Sequence, residues 1–489
     1  MPSWSPVELA PPALVLLIGI LLLLPGHALW FDELFTAEVG RLPLADILSA
    51  VVHGRGTTDY LTGVPPSYNA PYYVVVHAWM SLPGLGGDTS LRVLSLLATA
   101  GGLALITRAV SRLAGRPTGV LAGLVLACSP LVLEQAVEAR SYGLAVLATG
   151  GAVLGLARWL QEPPRGLVLL GVAGAGMGLA HWYAVTTLAA FVVAAVLLRG
   201  RRALPVVLTG AAAVLPSVAM VAVNLLNGTG GRNAEHLHDT QGRLADLAVE
   251  ACAGGRTPLL WLTIGLGVVG AIRARGPRVI AGAWVLVPLL LLVLAELVRP
   301  VYLPRYLLTG LLGLGVLAAA GAFALPRAAR VPVGGLLVAC SLLASAPLVS
   351  REPRERGDDV VRALADLQRP GEPIVAADQR SAMALDHYVR ILGPSLRRDV
   401  ILPPDDAPAN ADRPAGRASR ATGTLVTRSR ARATARTTLG APSSRTAVTT
   451  ARRTDGPIAR KAPASAGRPV SRAASRRCRS PVRRRSQDS

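Results

Sequence analysis

Two adjacent carboxylates, Asp32 and Glu33, follow the first long apolar run, LVLLIGILLLLPG at 14–26, within the stretch WFDELFTAEVG at 30–40. An acid at the mouth of an apolar helix keeps contact with water or a polar cavity, where it can take a proton from a hydroxyl or hold one in orientation. Loop carboxylates more often only face water. Three further stretches shift the balance. SPLVLEQAVEARSYGL, 129–144, places Glu134, Glu138, Arg140 and Tyr142 between two apolar runs, and VRPVYLPRYLL, 298–308, places Arg299, Tyr302, Arg305 and Tyr306 beside Glu296. AHWYAV, 180–185, interrupts another apolar run with His181 and Tyr183. Each has a plainer reading: an i, i+4 acidic pair at a helix end, an Arg snorkelling to headgroups, and aromatic residues suited to any interface. Taken together they fit one chemistry. Arg grips phosphate oxygens through a planar fork and stabilises the charge on a departing phosphate, while a carboxylate deprotonates the incoming group. That combination is glycosyl transfer from a lipid phosphate.

Such residues can meet only if the elements between them fold back to one side of a membrane. The chain has 489 residues, is 51% hydrophobic and has a mean hydropathy of +0.44, yet carries a formal charge of +22. The two properties occupy different regions. Twenty of the 51 Lys and Arg lie between Ala411 and Ser489 against three Asp, so about +17 of the charge is in this tail and about +5 in the remainder. Apolar length then marks candidate spans near 10–26, 91–108, 117–133, 141–158, 167–182, 184–198, 203–224, 258–272, 279–297, 306–325 and 331–349. GHA at 26–28 weakly mimics a signal-peptidase site, but no Lys or Arg precedes the first run, so it is read as a retained helix.

Charge orients these spans. With a cytoplasmic N-terminus, Arg108, Arg112 and Arg116, Arg158 and Arg165, Arg199, Arg201 and Arg202, Arg273, Arg275 and Arg278, and Arg327 and Arg330 all fall inside, as the positive-inside rule demands. The acids Asp32, Glu33, Glu38, Asp46, Asp59, Glu134, Glu138, Glu235, Asp239, Asp246 and Glu250 fall outside. This holds only if APYYVVVHAWMSLPG, 70–84, does not cross; its shortness and its Tyr and Trp suit an interfacial helix. The expected fold is all-α and polytopic, with about eleven membrane helices over residues 1–349 and interfacial helices in the extracytoplasmic first loop. A small extracytoplasmic α/β segment follows over 350–410, and a disordered basic tail over 411–489.

In their order, WFDELFTAE, APYYVVVHAW, LRVLSLL, SPLVLEQAVEARSYGL and PRYLL resemble the GT-C membrane glycosyltransferases. These include protein O-mannosyltransferases, aminoarabinose transferases that modify lipid A, and many bacterial relatives. The resemblance runs over roughly the first 400 residues. It implies a catalytic Asp-Glu pair in the first extracytoplasmic loop, here Asp32 and Glu33, with Asp32 as acceptor base and Glu33 as alternate or orienting partner. It places Arg140, Tyr142, Arg305 and Tyr306 near the donor phosphate; Tyr72, His77, Glu138, His181 and Tyr183 are further candidates for substrate contact. The implied reaction moves a sugar from a polyprenyl-phosphate donor to an extracytoplasmic glycan, lipid or protein at the plasma membrane, with mannose and arabinose as family sugars.

No cofactor is assigned. Some relatives use a divalent cation, and EHLHD at 235–239 offers His236, His238 and Asp239, but alternating ligand types without convergent geometry are a weak metal signal. Cys128, Cys252, Cys340 and Cys478 show no disulfide or zinc spacing. DDVVRALADLQRPGEPIVAADQ, 358–379, reads as a helix, a turn and a strand, and SAMALDHYVRIL, 381–392, as another helix. The tail has almost no large apolar residue and cannot bury a core. Its Arg, Ala, Ser, Thr and Pro, with the chain's only Lys at 461, match a GC-rich gene translated out of frame better than a basic arm or a linker. No nucleic-acid partner is expected. The rival class is a secondary transporter, which should carry its ionisable residues at the span midplane and show repeated halves. No internal repeat is evident here.

Overall fold

A computed structural model describes residues 4–53, 70–227, 253–274, 276–298, 303–368, 374–376, 379–393, 396, 400–401 and 448–450. All eleven apolar segments are helical within it. They are α1 (Ala10–Leu23), α5 (Asp88–Ala114), α6 (Arg116–Ala127) with α7 (Pro130–Ala136), α8 (Tyr142–Gln161), α9 (Leu167–Ala180), α10 (Ala184–Arg199), α11 (Leu204–Leu226), α12 (Thr257–Arg273), α13 (Arg278–Val298), α14 (Leu308–Phe323) and α15 (Arg327–Ser345). Among the described residues seven helices are long and apolar enough to cross a membrane, or eight if α6 and α7 form one broken span. Leu167–Ala180 and Thr257–Arg273 are shorter, and Ala184–Leu226 enters this count as one stretch.

Two irregularities matter. The segment expected as one span over 117–133 bends by 66° between α6 and α7. Pro130 has no N–H to continue the ladder and drives Ser129 into an extended conformation (φ −69°, ψ 129°), so the chain turns there. The 43-residue apolar stretch Ala184–Leu226 would extend about 65 Å as one helix, twice a bilayer core. It turns instead at Gly200 (φ 53°), and a Cβ on Gly210 would lie 2.7 Å from Val192, so α11 folds back along α10.

The charged residues sort to two ends of the bundle. At one end Arg112 donates to Gln161 (2.9 Å) and Arg199 to the Leu160 carbonyl (2.6 Å), which joins the ends of α5, α8 and α10. At the other lie the starts of α5, α8, α10 and α14, together with α2 (Phe31–Gly40), α3 (Leu44–His53) and α4 (Ala70–Met80). The 11-residue α4 is too short to cross. It lies across α2, with Val76 against Gly40 and the Trp79 indole donating to the Ser90 hydroxyl (3.0 Å) at the start of α5.

Beyond α15 the chain forms α16 (Gly357–Leu367), β1 (Ile374–Ala376) and α17 (Gln379–Leu392). Strand β1 pairs in parallel with β2 (Val400–Ile401) and antiparallel with β3 (Val448–Thr450). Strand β3 falls in the stretch expected to be disordered; the rest of 411–489 lies outside the described residues. The buried side chains form one core through the bundle and a second in which Leu29, Leu34, Phe35, Tyr73 and Val76 pack with Val361, Met383, Tyr388 and Val389. Helix α2 belongs to this second core.

Candidate functional site

The two adjacent acids of α2 point to different fates. Successive helical residues diverge by about 100°, so one can face the protein while the other faces a cavity. Glu33 faces the protein and is 1% exposed. Its Oε1 accepts from Arg92 Nε (2.8 Å) and from the Ala139 backbone N–H (2.7 Å), and its Oε2 accepts from Arg92 Nη2 (2.6 Å) and, as a helix cap, from the Trp30 N–H (3.3 Å). Arg92 also donates to the carbonyls of His27 (2.6 Å) and Ala28 (3.0 Å). The pair is a fully satisfied bidentate fork that ties the start of α5 to the chain entering α2.

Asp32 is held loosely. Its side chain is 21% exposed, and Oδ2 lies 3.5 Å from Arg140 Nη2 and 3.7 Å from Arg305 Nη2, both beyond normal hydrogen-bond length. Arg140 is fixed from behind: its Nη1 donates to the Asp32 carbonyl (3.3 Å) and its own carbonyl accepts from Ser95 Oγ (3.0 Å). Two guanidiniums from the starts of α8 and α14 thus converge on one carboxylate oxygen without closing on it.

A further basic residue completes this wall. Arg354, beyond α15, donates Nη2 to Glu134 (2.6 Å) and forms an ion pair with Glu138 Oε1 (2.8 Å), while Arg351 also pairs with Glu134. The Arg354 guanidinium lies 4.6 Å from the centre of the Trp30 ring, and Arg305 lies 5.8 Å from the same ring. The indole therefore stands against both cations beside Asp32. Glu138 Oε2 is buried and accepts no hydrogen bond. Burial, with the charges of Glu134 and Glu33, raises the Glu138 carboxyl to about 7 against the pull of Arg354 and Arg305.

The aromatic candidates gather beside Arg305. His181 lies between Tyr142 and Tyr306 at 5.1 Å from each ring, and Tyr183 stacks on Tyr306 at 4.7 Å. Trp182, 48% exposed, extends this platform outward. Tyr72 is buried beside Arg140 and Glu33, and burial pushes its phenol above the ordinary range, so it stays protonated. His77 stands apart: its Nδ1 faces the Gly40 carbonyl (3.1 Å) and ties α4 to the end of α2.

The structure thus brings together Asp32, Arg140, Arg305, Glu138, Tyr142, His181, Tyr183 and Tyr306, with Glu33 and Tyr72 behind them and His77 away at the far end of α2. Sequence reasoning missed Arg92, Trp30 and Arg354. Arg92 sits in the quoted LRVLSLL, and its position four residues after Asp88 in an apolar helix marks a buried cation that needs a partner. Nothing local marks Arg354, which meets Glu134 across 220 positions. His236, His238, Asp239 and Tyr302 lie outside the described residues. Among the described residues no group of three or more His, Cys, Asp or Glu is arranged to hold a metal ion.

No protein-family model and no curated protein matches the chain. Among solved structures it is similar to ArnT from Cupriavidus metallidurans bound to undecaprenyl phosphate, with 17% identity and a TM-score of 0.54 over 81% of this chain and 85% of that one. It is similar also to ArnT from the same organism in the apo state, with 18% identity and a TM-score of 0.50 over 77% and 81% of the two chains. At these identities the likeness is one of fold. The polytopic helical fold expected from the sequence is, in outline, the fold shared with these two structures.

Proposed function

We propose that the chain is a membrane glycosyltransferase that moves a sugar from a polyprenyl-phosphate donor to an acceptor on the extracytoplasmic face. The observation that carries this reading is the contrast between the two acids: Glu33 is locked to Arg92 at 2.6 and 2.8 Å, whereas Asp32 faces Arg140 and Arg305 at 3.5 and 3.7 Å. A tight pair holds structure, and a loose cluster of two cations and one carboxylate is ready to exchange partners. The shared fold with a protein crystallised with undecaprenyl phosphate supports the same donor class here.

In the reaction Asp32 takes the proton of the acceptor hydroxyl as its oxygen bonds to the anomeric carbon. The bond from that carbon to the phosphate oxygen breaks, and the electron pair leaves with the polyprenyl phosphate. Arg140 and Arg305 turn from Asp32 to the phosphate and stabilise the negative charge it gains. Tyr306, stacked on Tyr183 and tilted against His181, fixes the backbone beside Arg305, and Tyr142 opens α8 beside Arg140. Glu33 orients α2 rather than touching substrate. The Arg-rich end is placed in the cytoplasm by the positive-inside rule, with Asp32 outside.

The test uses radiolabelled polyprenyl-phosphate sugars with the full chain in membranes. Asp32→Asn should lower turnover by about 10²–10⁴, the scale of a lost general base. Arg305→Gln should lower it by about 10²–10³, as loss of one charge-stabilising donor does. Undiminished transfer by a folded Asp32→Asn variant would remove the assignment.

A further inference from the structure

Away from Asp32, the second half of α2 carries another charged cluster. His387 of α17 is 0% exposed. Its Nδ1 lies 2.9 Å from Glu38 Oε1 of α2 and 2.9 Å from Nη1 of Arg41, the residue that caps the α2 C-terminus, and its Nε2 lies 3.1 Å from Asp88 Oδ1 at the start of α5. On its own helix, Arg390 donates to Glu38 (3.0 Å) and to Asp386 (2.5 Å). One buried ring therefore joins three elements.

Hydrogen-bond logic leaves this ring two consistent states. The Asp88 carboxylate can only accept, so Nε2 carries a proton. At Nδ1 a donor and an acceptor compete: the neutral ring accepts from Arg41, and the charged ring donates to Glu38. The two networks differ by one proton. Charge favours the second, because three carboxylates (Glu38, Asp88, Asp386) face two guanidiniums (Arg41, Arg390) and an imidazolium brings the cluster to neutrality. The other nearby charges are already matched, Arg92 of α5 by Glu33 and Asp358 of α16 by Arg362 (2.8 Å). Burial opposes the charge on His387, but hydrogen bonds to Asp88 and Glu38 carry its pKa above the ordinary 6.5. Burial likewise opposes the Glu38 charge, yet His387, Arg41 and Arg390 hold that carboxyl at about 2.

The neighbouring residue completes the grip. The Tyr388 hydroxyl accepts the Leu29 N–H at 2.6 Å, three positions before Asp32, and its ring meets the His387 ring edge-on at 4.8 Å. Helix α17 thus holds α2 at both ends.

We propose that His387 is a proton-sensing positioning residue: as imidazolium it clasps α17 to α2 and to the start of α5, and loss of its proton loosens α2 and the Asp32 that α2 carries. The effect on turnover rests on the reading of Asp32 as acceptor base; the clasp itself does not. Because folding raises the His387 pKa, its stabilisation is whole below 6.5 and is lost as pH rises through the higher folded value.

The experiment measures hydrogen exchange of α2 peptides in the full-length protein from about pH 6 to about pH 9, corrected for intrinsic exchange, alongside sugar transfer. Wild-type protection of α2 and turnover should fall together, severalfold, as pH rises. His387→Gln, which keeps hydrogen-bonding groups but no charge, should show low protection at every pH and no such limb. Asp88→Asn removes one facing carboxylate and should move the midpoint to lower pH, which keeps the test open should His387→Gln fail to fold. Protection of α2 independent of pH in the wild type, or an unmoved midpoint in Asp88→Asn, overturns the proposal. A protection profile that shifts as described in a protein without transferase activity upholds the clasp and removes the enzymatic reading instead.

Discussion

At the scale of single residues, Asp32 and Glu33 show that adjacency in sequence says nothing about shared role. Glu33→Gln leaves the Arg92 guanidinium buried without its counter-charge, which costs about 3–5 kcal/mol, so a large fall in thermal midpoint should accompany any loss of transfer. Asp32→Asn changes a carboxylate with no close hydrogen bond at Oδ2 and should leave the stability within about 0.5 kcal/mol of wild type; equal destabilisation by both would end this division. Glu138 gives a prediction in pH. Its folded carboxyl sits near 7 against a reference of 4.5, so its stabilising share is whole below 4.5 and lost as pH rises through about 7. Thermal midpoints of Glu138→Gln minus wild type should therefore climb from pH 5 to pH 8, and a flat difference would mean that Glu138 is charged throughout. The sequence made Asp32, Arg140 and Arg305 visible because charges beside apolar runs are conspicuous. It could not divide the two acids, since the division depends on Arg92 and on the Ala139 N–H reaching Glu33 across 106 positions.

At the scale of elements, the site depends on how closely α5 and α8 approach, since Arg92 starts one and Arg140 precedes the other. Three glycines permit that approach. A Cβ on Gly143 would lie 2.4 Å from the Ser95 carbonyl, on Gly102 2.6 Å from the Val146 carbonyl, and on Gly150 2.5 Å from the Gly102 carbonyl. These neighbours are backbone and cannot move aside, and small residues of this kind are how membrane helices pack tightly. Gly143→Val should push the start of α8 from α5, cost about 1–3 kcal/mol and separate Arg140 from Asp32, read as a lower midpoint and reduced transfer. Gly265→Val, at a position with open space in α12, is the control and should change neither. Apolar segments were legible because hydropathy is local, and the 11-residue length of α4 agrees with the choice, made from charge, to leave it out of the spans. The break at Pro130 was missed, because apolar length joined 117–133 into one span. The fold of α10 onto α11 was marked by GRR at 200–202. Close packing of α5 on α8 was not legible, because glycines in apolar helices serve many ends.

At the scale of the whole molecule, the active-site reading requires the bundle to have one basic end and one mixed end on opposite sides of a membrane. The structure sorts charge this way: Arg112, Arg158, Arg165 and Arg199 lie at the ends of α5, α8 and α10 remote from Asp32, and the acids Glu33, Glu38, Glu134 and Glu138 lie with it. A transporter would instead carry buried ionisable pairs midway along its helices. The sidedness can be read directly by replacing Arg165 (79% exposed) and Glu352 (85% exposed) singly with Cys, in a background where Cys128, Cys252, Cys340 and Cys478 are Ala. A membrane-impermeant maleimide added to sealed right-side-out vesicles should label the Glu352→Cys protein and spare the Arg165→Cys protein, and inverted vesicles should reverse the pattern. Labelling of both from one side would place the two positions in a single compartment. Asp32 could not then face an acceptor opposite the side where the positive-inside rule puts the arginines, and flipped polyprenyl-phosphate donors would not meet it.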